Sequence, residues 1–125
     1  MRQRIIIIDD DSERLVSLRQ VLELEGYEVQ ISSDFYRIIE TMSETTPDLV
    51  IINMLMSRVN GFKATKLIKM HSNVPIIVLG ATNDGPSIEK AFNSGADDYL
   101  TQPFRGPILR ARVAAKLRKI RVPVS

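Results

Sequence analysis

The chain has 125 residues, 44% of them hydrophobic and 26% charged, the size and make-up of one globular domain with a single core. It has no cysteine and one histidine, His71, which excludes disulfides, thiolate metal sites, cysteine nucleophiles and any multi-histidine metal site. The net charge of +2 hides an asymmetry: residues 1–98 carry 10 basic against 15 acidic side chains, and residues 99–125 carry 7 basic and no acidic ones.

Apolar runs of strand length alternate along the chain with segments of helical period. Ile5–Ile8 is an unbroken β-branched run, the pattern of a strand buried on both faces. Asp11 or Ser12 then caps a helix with Leu15, Leu18, Val21 and Leu22 inward, stopped by Gly26. A second strand is predicted at Tyr27–Ile31 and a second helix over 34–44, closed ahead of Pro47. Leu49–Ile52 is the third strand, and Gly61–Met70 the third helix, with Phe62, Leu67 and Ile68 inward. Pro75–Leu79 follows as the fourth strand. Pro86 suits the first position of a fourth helix that sets Ile88, Ala91 and Phe92 on one face. Asp98–Thr101 is the fifth strand, and Pro107 opens a last helix with Leu109, Val113, Ala114 and Leu117 on its apolar side. Residues 1–120 make the domain, and 121–125, including Val122-Pro123-Val124, read as a tail or the start of a linker.

Five βα units imply an α/β fold: a parallel five-stranded sheet covered by helices on both sides. Right-handed crossovers leave the flavodoxin-like (βα)5 three-layer sandwich, strand order 2-1-3-4-5, as the obvious arrangement. The longest apolar runs, Ile5–Ile8 and Leu49–Ile52, fall far short of the roughly 20 residues that cross a bilayer. The basic opening Met1-Arg2-Gln3-Arg4 leads into isoleucines and aspartates rather than a signal-peptide pattern. A cytoplasmic protein without membrane contact is expected.

In such sheets the ligand crevice lies at the carboxyl ends of the strands. Asp9-Asp10-Asp11, Asn53, Gly80-Ala81 and Thr101-Gln102-Pro103 converge there. Two explanations of the aspartate triplet stand side by side. Asp9 and Asp10 suit a hard cation such as Mg²⁺, whereas Asp11 suits the start of the following helix.

The blocks Ile5-Ile6-Ile7-Ile8-Asp9-Asp10-Asp11, Pro47-Asp48-Leu49-Val50-Ile51-Ile52-Asn53, Asn60-Gly61-Phe62, Pro75-Ile76-Ile77-Val78-Leu79 and Gly95-Ala96-Asp97-Asp98-Tyr99-Leu100-Thr101-Gln102-Pro103-Phe104 come in one order and at one spacing. Together they resemble the CheY-like receiver domain of response regulators over essentially the whole chain. The resemblance implies a Mg²⁺ site at Asp9 and Asp10, with Asp10 the direct ligand. It implies a phosphoacceptor aspartate at position 53, where this chain has Asn53, and a Thr or Ser at position 80, where it has Gly80. It also implies a lysine at position 102, where the chain has Gln102, and a proline at position 57, where it has Ser57.

Each departure has a chemical consequence. A carboxylate oxygen can attack phosphorus to form an acyl phosphate, whereas the uncharged carboxamide of Asn53 is a poor nucleophile. Gln102 offers a neutral donor where a cation would hold the phosphoryl oxygens. Gly80 has no hydroxyl to turn toward the site, so a single fixed state is expected. Loss of one carboxylate and one ammonium leaves the local charge unchanged, although either change alone shifts the local energy by about 4 kcal/mol at an effective dielectric near 20. No cofactor is required on this reading. Mg²⁺ binding is expected to be weak, through Asp10, a water on Asp9 and the Asn53 amide oxygen.

The resemblance further implies signalling through the fourth helix, fifth strand and fifth helix. That face includes Ile88, Glu89, Phe92, Asp98, Tyr99, Ile108, Arg110 and Arg112, with Tyr99 in the place of the aromatic switch residue. Asp98 and Arg112 resemble a charged pair that some DNA-binding regulators use across a homodimer, while Ile88 and Ile108 stand where opposite charges are usual. The basic side chains of the last helix lack interleaved aromatics and a recognition motif, so direct nucleic-acid binding is not expected. The chain is therefore read as an atypical receiver, not an enzyme. It works by protein–protein interaction with a partner, an effector domain or a second copy. The alternative is a conventional phosphorylated receiver of a DNA-binding transcriptional regulator whose effector domain lies outside this chain. An enzyme on the same fold ranks last, since no glycine-rich phosphate loop follows the first strand.

Overall fold

Short β-branched runs that alternate with amphipathic stretches can bury both sets of apolar side chains only as a sheet between helices. A computed structural model, which describes residues 2–54, 56 and 60–118 with the backbone alone at Ser43 and Thr45, has this architecture. The elements are β1 (Arg4–Ile8), α1 (Ser12–Glu23), β2 (Glu28–Ser32), α2 (Phe35–Thr45), β3 (Leu49–Asn53), α3 (Gly61–His71), β4 (Ile76–Gly80), α4 (Gly85–Asn93), β5 (Asp98–Thr101) and α5 (Gly106–Leu117). The strands pair in the order β2-β1-β3-β4-β5, all parallel. Ser57 and the tail Val122-Pro123-Val124, singled out from the sequence, lie outside the described residues, as do two basic residues near the end of the chain, Lys119 and Arg121.

The two-residue period of the strands sorts the core into two layers. Ile6, Ile8, Val50, Ile52, Ile76 and Val78 pack with Phe35, Ile38 and Met42 of α2, Ala64 and Ile68 of α3 and Ala91 of α4. Ile5, Ile7, Leu49, Ile51, Ile77 and Leu79 pack with Leu15, Leu18 and Leu22 of α1 and Leu109, Val113 and Leu117 of α5. A slip of one residue in any central strand would exchange the layers, so the register is strongly specified.

Helix starts follow the capping logic of the sequence. Asp11, Asp34, Asn60 and Asp84 are N-caps whose side chains accept backbone N–H groups of the first turn. Thr46 ends α2 in the left-handed region at φ 37°. The inward assignments of Phe62 and Leu67 hold, since both pack against the core, whereas those of Phe92 and Ala114 change. Ala64 and Thr65 are fully buried on α3, while Phe62 and Leu67 are half-buried. Phe92 turns 45% to solvent while Ala91 takes the core position, and Ala114 is exposed. Pro86 takes the second position of α4, after Gly85. No helix among the described residues is long and apolar enough to cross a membrane.

Candidate functional site

The carboxyl ends of β1, β3, β4 and β5 bring Asp9, Asn53, Gly80 and Gln102 to one end of the sheet. Asp9 is completely buried, and a buried carboxylate needs a partner for every lone pair and for its charge. It has them. Arg14 of α1 grips it with two donors, Nε to Oδ2 and Nη2 to Oδ1 at 2.8 Å. The Asp11 amide donates to Oδ1 at 3.1 Å, and Asn53 Nδ2 donates to Oδ2 at 3.1 Å. Asn53 is itself buried at the end of β3. Arg14 also lies 3.6 Å from Asp11. The hydrogen bond to Asp9 holds the guanidinium above its ordinary pKa against the opposing effect of burial, with the charges of Asp9, Asp11 and Asp10 adding to the rise. Gln102 bonds through its backbone N–H to Gly80 O at 2.7 Å, while its buried Nε2 has no hydrogen-bond partner among the described residues. The peptide between Gln102 and Pro103 is cis. Arg14, Ala81, Gln102, Pro103 and Phe104 line an open hollow beside the cluster.

Arg14 is the site residue that sequence reasoning missed, and the charge count made there omitted its cation. The signal was present: a basic side chain in the first turn of a helix opposes the helix dipole, which calls for local anions to offset it.

The Mg²⁺ that the family resemblance implies does not fit at Asp9, the buried member of the pair; Asp10, the expected direct ligand, is exposed to solvent. A carboxylate offers about four lone-pair directions, and all four on Asp9 are occupied by N–H donors. The amide of Asn53 turns its N–H rather than its oxygen toward Asp9. Among the described residues the one buried side-chain polar atom without a hydrogen-bond partner, Gln102 Nε2, is a donor, the wrong polarity for a metal ion. Among the described residues no group of three or more His, Asp or Glu side chains is placed to hold a metal.

Gly80 and Tyr99 are coupled by volume. A Cβ built on Gly80 would fall 1.8 Å from Tyr99 Oη and 2.3 Å from Cζ, so the phenol fills the space a side chain at position 80 would take. The Tyr99 hydroxyl donates to the Thr82 carbonyl at 2.6 Å, which anchors the ring over the end of β4.

The remaining predicted residues lie on α4, β5 and α5. Ile88 is half-buried, and Phe92 and Ile108 are 45% and 46% exposed. Asp98 is buried, with Arg112 Nη1 at 3.5 Å and Lys116 Nζ at 3.9 Å from its Oδ2. Asp98 and Arg112 therefore pair within one chain. Arg110 leaves the predicted face, because its Nε meets Glu25 at 3.2 Å beside the end of α1.

The family model of the response regulator receiver domain matches residues 5–114, and the chain belongs to that family. It is a receiver domain of two-component signal transduction, a signalling domain. Among curated relatives, the DNA-binding response regulator MtrA of Mycobacterium tuberculosis is 36% identical over 119 residues, which are 95% of this chain and 52% of MtrA. The chain spans about half the length of the curated relatives it matches. Among solved structures, a two-component response regulator from Clostridium difficile superposes with a TM-score of 0.88 at 31% identity, covering 94% of this chain and 98% of that one. The receiver domain of the Francisella response regulator 1452 gives 0.85 at 26% identity over 93% of this chain and 97% of that one.

Proposed function

We propose that this receiver domain acts as a cytoplasmic, non-enzymatic interaction module that is not phosphorylated on aspartate. One observation carries the reading: the side chain at the end of β3 is the carboxamide of Asn53, buried and donating to Asp9 at 3.1 Å. An amide offers neither the charge nor the nucleophilic oxygen that an acyl phosphate requires. Gly80 and Gln102 accord with this, since neither supplies a hydroxyl or a cation to a phosphoryl group. Signalling then rests on the face of Ile88, Phe92, Asp98, Ile108 and Arg112, with Tyr99 held inward. Its occupant is a protein partner, an effector domain or a second copy of the chain. Arg110, Arg112 and Lys116 are each engaged by a carboxylate, which argues against direct contact of α5 with nucleic acid.

Incubation with acetyl phosphate and Mg²⁺, read by intact mass, tests the reading. The chain is expected to gain no phosphoryl group under conditions that label a receiver with aspartate at this position; a labelled parent chain overturns the proposal. The relatives favour a second reading, a phosphorylated receiver from a longer DNA-binding regulator of the MtrA kind, and labelling at a carboxylate would support it.

A further inference from the structure

We infer that Arg14 is a tethered cation that replaces a divalent metal ion at Asp9, so that the chain itself neutralises its buried carboxylate and is indifferent to Mg²⁺. The inference deepens the reading of an unphosphorylated site and rests on it for the meaning of Asn53.

Three observations carry it. The first is saturation: the guanidinium takes one position on each Asp9 oxygen, and the Asp11 amide and Asn53 Nδ2 take the other two. A divalent ion would need to strip at least one of these donors from a group with no exposure to water. The second is geometry. A guanidinium presents a planar fork that matches a carboxylate edge, and the structure shows that two-point grip on Asp9. The side chain reaches Asp9 from the first turn of α1, whose N-cap Asp11 also accepts the Arg14 backbone N–H at 3.1 Å. The same residue is thus fixed at both its backbone and its tip. The third is placement. A cation in the first turn of a helix faces an unfavourable dipole, and here the carboxylates of Asp9 and Asp11 offset it. A free ion dissociates with its concentration. A tethered one remains at the site whenever the helix is formed.

Removing the phosphoacceptor substitution alone would therefore not restore a metal site. In an Asn53→Asp variant Arg14 still occupies Asp9, whereas Arg14→Leu together with Asn53→Asp frees it and returns a carboxylate to the end of β3. Calorimetric titration with MgCl₂, in the absence of any phosphodonor and against ionic-strength-matched NaCl, compares the parent, Asn53→Asp and the double variant. The parent and Asn53→Asp are expected to show no saturable binding at millimolar Mg²⁺. The double variant is expected to bind at least about tenfold more tightly than Asn53→Asp. Equal affinities for Asn53→Asp and the double variant, or saturable Mg²⁺ binding by the parent, overturn the inference. The thermal midpoint of Arg14→Gln in the parent background gives a second readout. It is expected to fall and to be partly restored by Mg²⁺ but not by NaCl, while the parent midpoint is unmoved. A drop that Mg²⁺ leaves unchanged counts against Arg14 as a metal substitute. Because none of these measurements includes a phosphodonor, their failure leaves the unphosphorylated reading standing, and labelling of the parent chain sinks that reading by itself.

Discussion

Gly80 and Tyr99 compete for one volume, and the outcome fixes the aromatic ring. The missing side chain at position 80 admits the phenol, and the Thr82 carbonyl receives its hydroxyl at 2.6 Å. Gly80→Ala places a methyl group where Tyr99 Oη now lies, so the ring must leave and forfeit that bond. The variant is expected to lose about 1–3 kcal/mol in denaturant unfolding, as overpacked sites do, and to show faster chemical nitration of Tyr99. Tyr99→Phe keeps the ring and is expected to lose about 1 kcal/mol, the net worth of one hydrogen bond. An alanine at position 80 that leaves stability and nitration unchanged would show that the ring is not confined there. The absence of a hydroxyl at Gly80 was legible in the sequence; the use of the vacated space by Tyr99 was not, because it depends on the approach of β5 to β4. Arg14 was hidden for a related reason. Its identity and its position after three aspartates were on view, but which carboxylate a long side chain reaches is set by the angle at which α1 leaves β1.

At the scale of the elements, the start of α4 is tied to a carboxylate that responds to acid. Its N-cap Asp84 is held below the ordinary carboxylate range, first by the Thr82 hydroxyl and then by the backbone N–H and the hydroxyl of Ser87. A carboxyl with a lowered pKa contributes stability that is complete above its unfolded value, 3.8 here, and is lost as pH falls through the folded value. Protection of the amides in the first turn of α4, taken relative to the intrinsic exchange rate at each pH, is therefore expected to fall below about pH 4, ahead of protection in β3. Asp84→Asn, which still caps but carries no charge, is expected to remove that dependence; if it persists, another group is responsible. The Thr82 carbonyl that anchors Tyr99 belongs to this same loop. The elements themselves were readable from period and caps. Strand limits moved by only a residue or so, as at β2, which begins at Glu28 rather than Tyr27. The solvent-facing turn of Phe92 was not readable, because apolar spacing does not say which of two neighbouring side chains meets the sheet.

At the scale of the whole molecule, the two apolar layers leave Phe92 and Ile108 outside the core, on α4 and α5 at either side of β5. Their exposure favours association, and sedimentation velocity is expected to show a coefficient that rises with protein concentration. Phe92→Asp is expected to abolish the rise. A coefficient independent of concentration in the parent chain removes a second copy from the candidates for this face. The geometry of Asp98 limits the form such association takes. β5 is an outer strand of four residues, and its first side chain is a carboxylate turned toward α5 and clamped by Arg112 and Lys116. An inward charge on a short outer strand is a device that discourages a neighbour from extending the sheet. On this side the molecule is guarded against fibre-like growth: an added strand would meet a buried anion already committed to its own helix, so the sheet is expected to stay five strands wide.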